Sequence, residues 1–76
     1  MRMTKKNINV QVFLNWGAKN PLEIVETLKE HFEEIYYDKD SKVIYCSKLK
    51  TKESIFLKYI HKEMEIQSVN RIEVQE

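Results

Sequence analysis

An α+β two-layer sandwich, four antiparallel strands backed by two helices, is what this 76-residue sequence predicts. Three observations predict it. Apolar and polar residues alternate from Ile8 to Trp16, the period of a strand with one buried face. Two later stretches repeat apolar residues at helical spacing, each opened by capping residues. Two short aromatic and β-branched runs flank an Asp-Lys-Asp-Ser turn, and a last alternating run closes the chain. The order strand, helix, strand, strand, helix, strand is the ferredoxin-like (βαββαβ) plan. Its sheet order is 4-1-3-2, with both helices on one face and the first strand in the centre.

In that first strand Ile8, Val10, Val12, Leu14 and Trp16 point inward. Asn9, Gln11 and Asn15 point outward, with Phe13 the one apolar residue among them. A slip of one residue would bury three amides, so the register is well specified. Residues 1–6, with Arg2, Lys5 and Lys6, read as a short basic arm. Gly17-Ala18-Lys19 makes the following turn. Asn20 suits an N-cap, Pro21 the first helical position, and Glu23 can reach back to the cap. This helix is expected to run to about Glu33 with Leu22, Val25, Leu28 and Phe32 as its buried stripe. Glu33 and Glu34 near its end oppose the helix dipole, which predicts an early, poorly capped stop.

Glu34 to Asp38 and Lys42 to Ser47 form a hairpin. A loop centred on Lys39 and Asp40 sets Tyr37 opposite Lys42, Tyr36 opposite Val43, Ile35 opposite Ile44 and Glu34 opposite Tyr45. One face then holds Ile35, Tyr37, Ile44 and Cys46, and the other Glu34, Tyr36, Val43 and Tyr45. Thr51 is expected to cap a helix running to about Met64, with Ile55, Phe56, Tyr59, Ile60 and Met64 as its apolar positions. A turn around Ile66 to Asn70 leads to a last strand from Arg71 to Gln75, with Ile72 and Val74 inward.

The length allows one domain with a single two-layer core. Hydrophobic residues at 42% and charged residues at 33% are an ordinary balance for a soluble globular chain. A net charge of +1 supplies no global field towards nucleic acid or membrane, and no apolar run could span a bilayer. The basic N-terminal residues lead into alternating rather than continuous apolar ones, so no signal peptide is expected, and one cysteine gives no internal disulfide or thiolate cluster. The expectation is a cytoplasmic protein without cofactor or metal. His31 and His61 have no metal-spaced companion and read as helix-surface or boundary residues. Cys46 reads as an inert core thiol, and there is no glycine-rich phosphate loop. No catalytic residue is assigned, and enzyme activity is not expected.

Two surfaces remain as candidates. The sheet face away from the helices gathers Phe13, Tyr36, Val43 and Tyr45 into an aromatic patch, with Arg71 at its edge. At one end of the sheet Arg2, Lys5, Lys6, Lys48, Lys50 and Lys52 form a basic patch. A single-stranded RNA or DNA platform would use Phe13 and Tyr45 for stacking, yet the face offers one cation, Arg71, against Glu34, Glu73 and, at its edge, Asp38. The same face suits protein contact, with a partner or in a homodimer. Cross-strand packing alone would also place aromatics there. Both edge strands read as short and charged, which argues against edge pairing. The expectation is a small regulator or inhibitor that docks on a protein, of the kind a phage or mobile element encodes, with nucleic-acid binding as the alternative.

Overall fold

The structure, a computed structural model, describes residues 7–74. Strands β1 (Asn7–Leu14), β2 (Phe32–Asp38), β3 (Val43–Leu49) and β4 (Ile66–Val74) alternate with helices α1 (Pro21–Leu28) and α2 (Glu53–Lys62). The strands form one antiparallel sheet in the order β2-β3-β1-β4, which is the ferredoxin-like arrangement.

The core lies between the sheet and the helices. Ile8, Val10, Val12 and Leu14 of β1 are all buried there, as their alternation requires. They meet Ile24, Val25 and Leu28 of α1, Phe56 of α2, and Ile44 and Cys46 of β3. Trp16, expected in this row, is 71% exposed. The strand stops at Leu14 because Asn15 donates its N–H to Glu65 O (2.8 Å) and accepts from Ala18 N–H, which turns the chain before Trp16 can pair.

Helix α1 is shorter than its periodicity suggests. Its buried stripe is Ile24, Val25 and Leu28, and Leu22 in the first turn is 69% exposed. The carbonyls of Thr27 and Leu28 accept from Glu30 and His31 N–H, closing the helix before Phe32. Phe32 is buried as expected but from β2, with its ring edge-on to Phe56 at 5.1 Å. Asn20 makes no side-chain cap. Glu65 instead pins the chain just ahead of the helix: its carboxylate accepts N–H from Lys19 (2.8 Å) and Asn20 (3.3 Å). Glu65→Ala is therefore expected to lower stability by about 1–2 kcal/mol, with Glu65→Gln recovering part of it. Urea denaturation checks this, and an unchanged midpoint would show that water serves those N–H groups equally well.

The hairpin register differs from expectation. Asp38 pairs with Val43, Tyr37 with Ile44, Tyr36 with Tyr45, Ile35 with Cys46 and Glu34 with Ser47. The cause is a longer loop. Asp38 Oδ1 accepts N–H from Asp40 (3.1 Å) and Ser41 (3.4 Å), and Lys42 closes the turn at φ 62. The slip moves the partners by two, so each residue keeps the face assigned to it. At the far end of the ribbon the facing does reverse. Phe32 pairs with Leu49 and both join the core, although Glu34 and Ser47, the pair before them, lie on the opposite face. Lys48 stands between the two pairs at φ 62, a left-handed residue that turns the strand over.

Helix α2 starts at Glu53 with Lys52 as N-cap, so Thr51 is not its cap. Thr51 Oγ1 instead shares a hydrogen bond with His31 Nδ1 at 3.0 Å. Phe56 is buried, Tyr59 and Ile60 pack partly against the core, and Ile55 and Met64 are exposed at 49% and 88%. Strand β4 begins at Ile66, five residues before the expected start. Its register shifts where Phe13 pairs with Ser68 and Leu14 with Ile66, so Gln67 is an extra, bulged residue. That bulge puts Ile66 and Val69 three apart yet both against the core, a spacing that hides the strand in the sequence.

Candidate interaction surface

The face of the sheet away from the helices is built in cross-strand rows. Asp38, Val43, Phe13 and Ser68 form one row across all four strands, and Tyr36, Tyr45, Gln11 and Asn70 form the next. Tyr36 and Tyr45 lie side by side, ring centroids 6.1 Å apart and planes 28° from parallel. They are exposed at 65% and 40%. Phe13 is half-buried and Val43 is only 6% exposed, so these two make the floor of the patch and the tyrosines its accessible part. Asn70 Nδ2 donates to Gln11 Oε1 at 3.1 Å and fixes the amide side of the same row. Ile72, expected to point inward, pairs with Asn9, which puts it on this open face, 41% exposed.

Arg71 does not belong to this surface. It pairs with Val10, an inward residue, and so faces the helix layer. There its guanidinium binds the Glu53 carboxylate of α2 through Nε and, at 3.2 Å, through Nη2. The bulge at Gln67 is the physical reason, since one inserted residue exchanges the two faces of the strand relative to the bulged end. The side chains of Glu73 and Val74, and all of Gln75, lie outside the described residues.

Removing Arg71 leaves the described open face without a central cation. Lys48 at its margin is held by Glu34 at 3.3 Å. A phosphate backbone therefore finds acid and amide there rather than positive charge. Of the basic patch, Lys50 and Lys52 are exposed in the connection from β3 to α2 and Lys48 is ion-paired. Arg2, Lys5 and Lys6 lie outside the described residues.

Two residues with chemical potential are taken up by packing. Cys46 is 1% exposed, and burial pushes its thiol up to about 12, so it is a protonated core group at neutral pH. His31 is buried rather than on a helix surface. It sits in the turn before β2, stacked on Tyr59 at 6.0 Å, edge-on to Phe56 at 6.0 Å, and tied to Thr51. His61 is exposed on α2. Among the described residues no three His, Cys, Asp or Glu side chains could together hold a metal ion, and no helix is long and apolar enough to cross a membrane.

Sequence reasoning missed a second exposed apolar group. Trp16, Leu22 and Met64 all protrude at the end of the sheet where Glu65 holds the start of α1 and Asn15 Nδ2 donates to Met64 O at 3.0 Å. Gly17, next to Trp16, was the available sign that the strand had ended. Compared with protein-family models, curated proteins and solved structures, the chain matches none of them.

Proposed function

We propose that this is a non-enzymatic binding module that docks on a partner protein through the open sheet face, with Tyr36 and Tyr45 as its anchors. The observation that carries this reading is the exposed tyrosine pair, stacked over an apolar floor of Phe13 and Val43 and bordered by amides and hydroxyls. Tyrosine is enriched among residues that dominate interface energies, because a large rigid ring buries much area at little entropic cost. Neutral amides around it suit an adaptable rim. The lack of a central cation on the described face weighs against a nucleic-acid platform.

The test is affinity capture from the native host with wild type and Tyr45→Arg, paired with circular dichroism to show that the variant folds. A specific protein partner whose binding falls at least tenfold in Tyr45→Arg is the expected result, the scale of one hot-spot residue. Titration of a single-stranded oligonucleotide at two salt concentrations runs alongside. Salt-sensitive binding that Tyr45→Ala abolishes would replace protein docking with nucleic-acid recognition.

A further inference from the structure

We propose that the outer edge of β4 pairs antiparallel with the β4 of a second copy of this chain, joining two four-stranded sheets into one of eight strands. Strand β4 is nine residues long and lies at the edge of the sheet. Its inner side is paired with β1 at every residue except the bulged Gln67. On the outer side alternate residues turn their N–H and C=O groups away from β1. Among the described residues no backbone group outside β1 takes those of Gln67 to Asn70. A row of this kind is a template for another strand unless the chain protects it.

The two edges of the sheet differ in such protection. Strand β2 carries Glu33, Glu34 and Asp38 with no cation, so two copies of that edge would set carboxylates against each other. Strand β4 has no charged residue and no proline from Ile66 to Asn70. The next residue, Arg71, is drawn to the helix side by Glu53. The bulge at Gln67 twists only the first part of the strand, and pairing with β1 is regular from Ser68 onward. Of the expected short, charged edges, β2 keeps the charge at seven residues, and β4 at nine residues carries charge only from Arg71 onward.

A second copy is the occupant that fits this edge. With the two-fold axis through Val69, each Ser68 lies opposite the partner's Asn70, hydroxyl against amide. The two Val69 residues face each other, and each Arg71 lies opposite the partner's Gln67, a charge against a neutral acceptor. The two cations are thereby kept apart. The same patch serves both copies, so the assembly closes at two, whereas β2 against β4 is head-to-tail and would build a ring or a filament. The open faces of the two sheets become one continuous surface with a tyrosine pair at each outer side.

Sedimentation equilibrium from about 10 μM to about 1 mM reads this directly, spanning the range of a modest strand-pairing affinity. Wild type is expected to move from one chain mass to two. The double variant S68K/N70K sets lysine against lysine twice and is expected to stay at one chain mass throughout. S68K/N70E sets lysine against glutamate twice and is expected to restore the dimer. Ser68 and Asn70 are exposed, and circular dichroism confirms that each variant folds. A wild-type mass of one chain at every concentration overturns the proposal. So does a dimer equally tight in both double variants, or a dimer that Tyr45→Arg abolishes while S68K/N70K keeps it, which would move the contact to the open face.

Discussion

Phe32→Ala is expected to lower the stability of this protein by about 3–5 kcal/mol, the cost of removing a large aromatic from a packed core. Phe32 is 1% exposed and its ring meets Phe56 edge-on, so truncation opens a cavity where β2, β3 and α2 converge. A chain of this length has a total stability of roughly 4–11 kcal/mol, so the variant stands at the limit of folding. Phe32→Leu keeps most of the volume and is expected to cost about 1–2 kcal/mol. Urea denaturation followed by circular dichroism measures both. A loss under about 1 kcal/mol for Phe32→Ala would show that the site collapses around the gap and that α2 is not anchored there.

Alkaline pH is expected to destabilise the fold from pH 9 upward. Burial pushes the Cys46 thiol from 9.0 to about 12 in the folded chain. Burial, and then the nearby Glu63 carboxylate, pushes the Tyr59 phenol from 10.0 to about 12. Above pH 9 the unfolded chain gives up the thiol proton while the folded chain keeps it. The unfolded state then binds fewer protons, and stability falls as pH rises through the window from 9 to about 12. Below pH 9 the contribution is fully present and flat. For Cys46 the loss by the top of the window is on the order of 4 kcal/mol. Tyr59 adds in the same direction by less, because its ring is partly open to water. Denaturation at pH 7, 9, 10 and 11 for wild type and Cys46→Ala separates the two. Curves that run parallel in pH would show that the thiol does not titrate differently in the two states.

Much of the fold was legible because β1 is. Its four inward residues, with the helical and alternating periods of the later stretches, sufficed to order the elements and place β1 in the centre. What went astray went astray at single residues whose effect no periodicity contains. Lys42 and Lys48 adopt left-handed backbone that sequence patterns assign to glycine or asparagine. Gln67 is a bulge, so Ile66 and Val69 read as a turn rather than a strand, and Ile72 and Arg71 exchange faces. Glu65 stands 45 residues from the N–H of Asn20 that it satisfies, and only the fold brings them together. The tyrosine patch was legible because pairing parity survived the slipped register, and Arg71 was not because the bulge changed that parity.

The left-handed turn at Lys48 has a bearing on how this chain can vary. It divides the β2–β3 ribbon into two zones. On one side the Phe32–Leu49 pair turns to the helices, and on the other the ribbon is two-faced, with Ile44 and Cys46 towards the helices and Glu34, Tyr36 and Tyr45 on the open face. Substitutions at the exposed Tyr36 and Tyr45 can therefore change the open face without touching the core, and substitutions at Phe32 and Leu49 can tune packing without altering that face. One ribbon of fewer than twenty residues thus lets its open face and its packing vary independently.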